Sequence, residues 1–297
     1  MFKVVITGGS GLVGKMLCKL LISKGYSVSL ISRTKKSNSL YDVYSWSELD
    51  FALQNANYII HLAGAGIVDK PWTTERKKEI VDSRVETANK IFNIVQEKKY
   101  PIEAFISASA IGYYGMITSD KIFLEEDEYA NDFLGNTCKL WEDAATKFSS
   151  LGIRSVKLRT GIVLSKEGGA LHKIAKPIQF NIGAALGSGK QFLPWIHIED
   201  LCNMYLHAIE NETLNGAYNA VASEHIDNNK FTKLVAHYLN KLLWLPNIPA
   251  FLLKIILGKR ANLLLEGSRI SNEKILKTNF QFKYPTINLC FENLFQK

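Results

Sequence analysis

The sequence lacks the features that mark membrane-spanning, disulfide-rich or metal-binding proteins. Its longest apolar run, residues 248–257, is interrupted by Lys254 and is too short to span a bilayer. No signal peptide is expected, since strand-forming residues begin at Phe2. The few cysteines stand far apart and form no C-x-x-C pair: Cys18, Cys138, Cys202 and Cys290. We therefore expect reduced, buried thiols, no metal site and a cytoplasmic protein.

A long run of one charge is also missing. The 36 Lys and Arg against 28 Asp and Glu give a net charge of +8, but the basic residues stand in short, scattered groups. A nucleic-acid-binding surface needs a clustered basic patch, so a solvated surface is the simpler interpretation. We expect neither nucleic acid nor a membrane as a partner. The 297 residues suffice for one large α/β domain with a smaller attached part.

A glycine-rich turn near the start is the most informative feature present. Residues 7–14 (TGGSGLVG) follow the apolar run at 4–6 and lead into residues whose apolar members recur at helical spacing. Strand, glycine turn and helix in this order predict a dinucleotide site, because glycines let the backbone approach a pyrophosphate at a helix N-terminus. A turn without a ligand is the alternative. The predicted contacts are Gly8, Gly9, Ser10, Gly11, Leu12, Val13 and Gly14.

The end of the second predicted strand, residues 27–32, indicates which dinucleotide is bound. A fold that selects NAD places Asp or Glu about twenty residues beyond the glycine turn, to bind the ribose 2′-hydroxyl. Here Ser32 and Arg33 are followed by Thr34 and Lys35, with no carboxylate. A guanidinium can bind a 2′-phosphate through charge-assisted hydrogen bonds, whereas a carboxylate repels it. We therefore predict NADP as the cofactor; an ordinary basic loop is the alternative.

Strands and helices alternate through the first half of the chain. This order predicts an α/β protein with a Rossmann-type, doubly wound parallel sheet. His61 lies inside an apolar strand and is expected to pack in the core. We assign residues 1–165 to an NADP-binding domain, to which some later segments return. A smaller substrate-covering part follows at 166–297, with a helical module from about residue 247. Further predicted strands lie at 58–66, 102–106 and 153–160, and predicted helices run to residue 98 and over 132–150.

Together these motifs resemble the atypical extended short-chain dehydrogenase/reductases. The resemblance is to the epimerase-like family of NAD-dependent or nucleoside-diphosphate-sugar epimerases that carries a C-terminal helical module of unknown function. It runs nearly end to end and includes residues 7–14, 57–67, 107–115, 158–164 and 187–201.

The resemblance implies further cofactor contacts beyond the glycine turn. Ser32 and Arg33 would hold the 2′-phosphate. Leu62, Ala63 and Gly64 would contact the cofactor along the sheet edge. Glu79 and Arg84 would reach it from the following helix. Arg159 and Val163 would lie near its nicotinamide end.

The chemistry departs from the superfamily pattern, in which Tyr-x-x-x-Lys on a helix follows a strand-end Ser. Four-residue spacing puts Tyr and Lys on one helix face, so that the ammonium lowers the pKa of the phenol. Alignment on Glu142 places Leu134 and Cys138 at the two positions, and neither can do this. Ser109 matches the strand-end serine and Tyr114 the Tyr-Gly that follows it. Each is a candidate catalytic hydrogen-bond donor or, equally, a structural hydroxyl.

Two functions remain open on the sequence alone. One is an NADP-dependent oxidoreductase or epimerase, monomeric or homodimeric, acting on a small or nucleotide-linked substrate. The other is a cofactor-binding sensor or scaffold with little turnover. In both cases we expect the C-terminal part to fold over the carboxyl ends of the strands, with residues 195–201 in the wall of the cleft.

Overall fold

The structure is a computed structural model that describes residues 1–34 and 40–296. Its strands, in chain order, are β1 (Lys3–Thr7), β2 (Ser27–Ile31), β3 (Asp42–Tyr44), β4 (Tyr58–His61), β5 (Ala104–Ala110), β6 (Ile122–Phe123), β7 (Arg154–Thr160), β8 (Ile162–Ser165), β9 (Gly168–Gly169), β10 (Trp195–His197), β11 (Gly216–Ala220) and β12 (Arg269–Ile270). Its helices are α1 (Leu12–Ser23), α2 (Leu49–Leu53), α3 (Thr74–Lys98), α4 (Phe133–Thr146), α5 (Ala170–Gln179), α6 (Ile198–Glu210), α7 (Asn228–Tyr238), α8 (Ala250–Leu257), α9 (Asn262–Leu265), α10 (Glu273–Leu276) and α11 (Ile287–Phe295). Short 3-10 turns lie at Trp46–Glu48, Ile111–Tyr114, Lys147–Leu151 and Gly258–Ala261.

Seven strands form one sheet in the order β11-β7-β5-β4-β1-β2-β3. Every neighbouring pair is parallel, which confirms the predicted Rossmann-type sheet. The strand order reverses where β1 lies between β2 and β4. Open α/β sheets bind ligands in the crevice at the carboxyl ends of the strands beside this reversal. The glycine turn after β1 occupies that position.

Both faces of the sheet are covered, so its strands are apolar on both sides. Val4 and Ile6 pack with residues of α1 and α6, whereas Val5 between them packs with residues of α2 and α3. This alternation follows from the two-residue period of a strand.

The chain returns to this sheet after residue 165. Helix α6 packs on α1, and β11 pairs with β7 at the edge. A separate core joins α5, α7 and α11. The later part also touches the carboxyl edge: a Cβ on Gly169 would stand 3.2 Å from Leu12 Cδ2. Residue 165 therefore does not divide the molecule into two independent cores.

Strand β5 extends further than the sequence indicates. Its predicted end was Ile106, but pairing with β7 continues to Ala110, opposite Thr160. The added residues, 107–110, are Ser and Ala, which are not β-branched, so side-chain type does not predict a strand there. Strands β3, β8 and β11, of three to five residues each, are not predicted from the sequence. Within the described ranges, no helix combines the length and apolar character needed to cross a membrane.

Candidate functional site

The turn after β1 lies so close to its neighbours that side chains would not fit. Gly8 has a φ of +71°, and a Cβ there would stand 2.6 Å from the carbonyl carbon of Leu62 at the end of β4. A Cβ on Gly14 would stand 2.5 Å from Gly9 Cα. Both distances are shorter than those that real Cβ atoms show, so glycine is required at both positions. The turn consequently presents bare backbone at the carboxyl edge.

Helix α1 begins at this turn without a side-chain cap. Gly11 is its N-cap, and its first turn contains no acidic residue. By contrast, Thr73 caps α3 and Asp132 caps α4 through hydrogen bonds from backbone N–H groups. The first N–H groups of a helix have no partner within it. Ser10 and Gly11 are exposed, so the start of α1 offers these donors and its positive dipole end to an anion.

Ser32 and Arg33 follow β2 at the same edge. Ser32 N–H donates to the Tyr44 carbonyl at 2.9 Å, and Arg33 is exposed. Lys35, part of the same predicted basic segment, lies outside the described residues. On α3, Glu79 accepts a hydrogen bond from Arg76, which is the main cause of its lowered pKa; the nearby charges of Lys70 and Arg33 act in the same direction. Arg33 and Glu79 are therefore near enough for their charges to interact.

Arg84 reaches the edge from the middle of α3. Its Nη2 donates to the Ala65 carbonyl at 3.1 Å, and its guanidinium lies 4.9 Å from the centre of the Trp141 ring. Gly64 lies directly beside this guanidinium. Burial lowers the pKa of Arg84. The structure thus brings the predicted contacts at the end of β4 together with one of the two on α3.

His61 is a structural residue beneath this edge. It is fully buried, its Nδ1 lies 2.7 Å from Thr7 Oγ1, and its Nε2 lies 3.1 Å from the Arg84 carbonyl. Burial lowers the pKa of His61 to about 4, so the ring is neutral. The expectation of a packed core histidine is confirmed: His61 joins β1, β4 and α3.

A buried polar network lies beside the crevice, where β5, β7 and α4 meet. Its centre is Glu142 of α4. Ser109 Oγ donates to Glu142 Oε1 at 2.7 Å, and Arg159 donates through Nε and Nη2 to the two carboxylate oxygens at 2.8 and 2.9 Å. Burial by itself would lower the pKa of Arg159, but the hydrogen bonds and charge of Glu142 outweigh it and raise that pKa.

The network continues from Tyr114 to the sheet edge. Tyr114 Oη donates to Asn219 Oδ1 at 2.6 Å and accepts from Arg159 Nη1 at 2.9 Å. Asn219 N–H in turn donates to Glu125 Oε1 at 2.8 Å, and Asn219 Nδ2 to the Ser271 carbonyl at 2.9 Å. We call Ser109, Tyr114, Glu125, Glu142, Arg159 and Asn219 the buried network.

This geometry bears on three predicted site residues. Ser109 and Tyr114 are each only 3% exposed, and each directs its hydroxyl proton to an acceptor inside the protein. Of the two alternatives drawn from the sequence, the structural hydroxyl is favoured, and a catalytic role stays a prediction. The guanidinium of Arg159 is engaged by Glu142 and Tyr114, so its cofactor contact also stays a prediction. Val163 is half-buried, with its carbonyl beside Gly169.

Helix α4 brings no Tyr–Lys pair to the crevice. Leu134 and Cys138 are buried against the 3-10 turn at 111–114, where a Cβ on Gly112 would stand 3.3 Å from Leu134 Cβ and 3.8 Å from Cys138 Sγ. Burial raises the pKa of Cys138 to about 12, so it is a thiol at neutral pH. Lys139 pairs instead with Asp143 at 2.6 Å. In the part of the chain that the structure describes, no three His, Cys, Asp or Glu side chains are placed to hold a metal.

Sequence reasoning missed the central role of Glu142. The residue occupies the same helical face as Leu134, Cys138 and Ala145, all buried. A carboxylate within an apolar stripe requires a buried partner, and this was the available signal. Nothing in the sequence pointed to Glu125 or Asn219.

The sheet, the bare glycine turn and the uncapped helix define a Rossmann-type dinucleotide-binding protein. Residues 4–220 match the NAD dependent epimerase/dehydratase family, and residues 248–294 match a domain of unknown function, DUF1731. The chain belongs to the NAD-dependent epimerase/dehydratase family. The resemblance found in the sequence is confirmed, including the C-terminal module.

Relatives match over nearly the whole chain. Epimerase family protein YfhF of Bacillus subtilis (strain 168) is 32% identical, over 98% of this chain and 97% of its own. Among solved structures, human epimerase family protein SDR39U1 (isoform 2), crystallised with NADPH, has a TM-score of 0.88 and 28% identity, covering 99% of both chains. UDP-glucose 4-epimerase of Thermotoga maritima has a TM-score of 0.82, covering 99% of this chain and 97% of its own. At 17% identity, that likeness shows the fold alone.

Proposed function

We propose that this protein binds NADP(H) at the glycine turn and acts as an oxidoreductase or epimerase of the extended short-chain dehydrogenase/reductase type. One observation carries the proposal: the bare turn at Gly8 and Gly14 leads into an uncapped α1, beside a β2 that is followed by Ser32 and Arg33 instead of a carboxylate. The NADPH in the human relative's crystal supports it.

The residues present fit this cofactor. The backbone N–H groups of Leu12 and Val13 would hold the pyrophosphate, because no side chain caps them, whereas the Gly11 N–H already donates to the Gly8 carbonyl at 3.1 Å. Arg33 and Ser32 would take the 2′-phosphate through charge-assisted hydrogen bonds. The sheet edge and α3 would line the rest of the cofactor through Leu62, Ala63, Gly64, Glu79 and Arg84. When bound, NADPH supplies a hydride to a carbonyl-type substrate.

The proton that accompanies a hydride needs a source other than Tyr-x-x-x-Lys. Leu134 and Cys138 cannot provide it, and Ser109 and Tyr114 donate inward. General acid catalysis typically contributes about 10²–10⁴-fold to a rate. We therefore infer a slow enzyme, unless the substrate or a water supplies the proton. The same observation favours a second candidate function, a cofactor-binding sensor or scaffold with little turnover.

Cofactor preference is tested by calorimetric titration with NADPH and NADH. The expected preference for NADPH is about ten- to a hundredfold, the equivalent of one charge-assisted hydrogen bond. Arg33→Asp should reverse it. Lys24→Asp makes the same charge change at the opposite end of α1 and should leave the preference intact. Equal affinities of the wild type for the two cofactors would refute the proposal.

Turnover distinguishes the two candidate functions. A steady-state screen with NADPH over aldehydes, ketones and nucleotide sugars should find a slow substrate if the protein is an enzyme. Ser109→Ala or Tyr114→Phe should depress that turnover if either hydroxyl takes part. If neither does so in a folded variant, both residues are structural. Tight NADPH binding without turnover on any substrate class would favour the sensor or scaffold.

A further inference from the structure

Helix α8 in the C-terminal module leaves most of its apolar side chains uncovered. Ile255 is 77% exposed and Ile256 is 73% exposed, and Phe251 and Leu252 are also exposed. Only Leu253 of this helix is buried. Isolated exposed apolar residues are ordinary on protein surfaces, but a cluster on one element marks an interaction site.

The four exposed side chains form one stripe. At 100° per residue, Phe251, Ile255, Leu252 and Ile256 fall in that angular order within an arc of about 140°. Leu253 points away from this arc, toward the protein. Lys254 flanks the stripe on the Phe251 side and is exposed. The helix is therefore apolar on its exposed face as well as on the face that carries Leu253.

A neighbouring group of exposed apolar residues extends this surface. Trp244 Nε1 donates to the Asn181 carbonyl at 2.8 Å, which places the indole beside the exposed Phe180 and Ile182. Backbone hydrogen bonds join Ile248 to the same segment, with its N–H donating to the Ala185 carbonyl at 2.8 Å. Because α8 begins two residues after Ile248, its first turn lies next to this segment. We call Phe180, Ile182, Leu242, Trp244, Phe251, Leu252, Ile255 and Ile256 the apolar face.

The chain segment that carries most of the apolar face contains charged residues of one sign only. Residues 228–265 contain six basic side chains and no Asp or Glu. Lys254 and Lys259, within and just after α8, are exposed. The basic residues of this segment are Lys230, which pairs with Glu224 at 3.0 Å, and Lys233, Lys241, Lys254, Lys259 and Arg260. A partner that covers the face must therefore accept apolar side chains and also carry negative charge.

We propose that the apolar face docks on a membrane surface that contains anionic lipids. Apolar side chains of an interfacial helix enter the boundary between headgroups and acyl chains, while neighbouring lysines contact lipid phosphates. An exposed Trp such as Trp244 suits this boundary, since its ring is amphipathic. A second copy fits less well, because a two-fold interface would oppose two basic segments that lack carboxylates.

This inference does not rest on the proposed function. It differs from the sequence expectation of no membrane partner, which depended on the absence of a spanning segment. An interfacial helix needs neither the length nor the uniform hydropathy of a spanning one.

Vesicle flotation tests the proposal. The full chain should float with vesicles of phosphatidylcholine and phosphatidylglycerol, about tenfold more than with phosphatidylcholine alone, and added NaCl should reduce this binding. The fluorescence of the wild type should shift to the blue on binding, and Trp244→Phe should remove the shift. Absence of wild-type binding to the anionic vesicles would overturn the proposal.

Matched variants locate the binding surface. Ile255→Glu/Ile256→Glu should lower vesicle partitioning about tenfold or more, since two carboxylates would enter the apolar boundary. Lys254→Glu/Lys259→Glu should lower it for anionic vesicles alone. Phe51→Glu, a change at a residue 59% exposed on α2, is the control and should bind like the wild type. Circular dichroism and urea unfolding verify that each variant is folded.

Two results would contradict the assignment. Equal vesicle binding by Ile255→Glu/Ile256→Glu and Phe51→Glu would show that another surface is responsible. A dimer seen by sedimentation that this double variant abolishes, without vesicle binding by the wild type, would make the apolar face a self-association surface.

Discussion

The glycine turn and the buried network lie at one edge of the same sheet, but they differ in whether their hydrogen-bonding groups have partners within the protein. At the turn, most residues are glycines, and the donors at the start of α1 have no side-chain cap. In the buried network, the Glu142 carboxylate accepts three hydrogen bonds from Ser109 and Arg159. Donors without an internal partner are what a ligand requires, whereas a buried ion pair is stable only when its partners are complete.

This contrast shows that a polar residue near a cofactor crevice can serve either binding or internal structure. Tyr114 and Ser109 lie where a family pattern suggests chemistry, but their protons are already directed to internal acceptors. The turn has few polar side chains, and its function comes from the main chain. The following predictions test whether the network is structural and the turn is for binding.

The largest effect is expected from breaking the buried network at its centre. Glu142→Ala leaves Arg159 buried without its partner and should lower the free energy of unfolding by about 3–5 kcal/mol. The neighbouring Asp143→Ala removes an exposed ion pair with Lys139 and should cost less than about 1 kcal/mol. Urea unfolding of both variants measures the difference. Similar values for the two would show that the network contributes little to stability.

The contribution of the buried His61 to the stability of the protein should be lost in acid. The pKa of His61 is lowered by burial to about 4 in the folded protein, below its ordinary value of 6.5. Its stability contribution is therefore complete above pH 6.5 and is lost as the pH falls through 4, by roughly 3 kcal/mol. His197, whose pKa burial also lowers to about 4, adds a similar dependence. Urea unfolding from pH 7 to 4 should show a shallower slope for His61→Gln; an unchanged slope would contradict the assignment.

A side chain at the turn should cost stability and cofactor binding together. Gly8→Ala places a Cβ against Leu62 and should lower the free energy of unfolding by about 1–3 kcal/mol, with weaker NADPH binding. Gly152→Ala is the control, since Gly152 also has a positive φ, +76°, but a Cβ there meets nothing within 4 Å. The difference between the variants isolates the close approach to β4. Equal losses would mean that backbone strain alone is responsible.

The smallest expected effect, that of Tyr114→Phe, tests most directly whether the buried network is separate from the cofactor site. Tyr114→Phe removes one hydroxyl from the buried network and should lower the free energy of unfolding by about 1 kcal/mol. The affinity for NADPH should not change, because the hydroxyl bonds to Asn219 and Arg159. Calorimetry checks this. A clear loss of NADPH affinity in the folded variant would place Tyr114 in the cofactor site.

The glycine turn could be predicted from the sequence because its signal is local. Eight consecutive residues, with a strand before and a helix after, specify the backbone geometry. The buried network could not be predicted, since its contacts join residues far apart in the chain: Tyr114 and Asn219 are separated by 105 positions. Strand β11, which supplies Asn219, has the sequence GAYNA. It contains no β-branched residue and is too short to be predicted as a strand.

The packing of α6 on α1 has a consequence for synthesis of the protein. Leu17 and Leu21 of α1 belong to the same core as Leu201 and Tyr205 of α6, almost two hundred positions later. Until residue 210 has left the ribosome, α6 cannot complete the cover that α1 begins on this face of the sheet, and the edge of β7 stays open until β11 follows. The native packing of this face is therefore completed only after the second half is made, and we expect a chain terminated near residue 165 to expose an aggregation-prone surface.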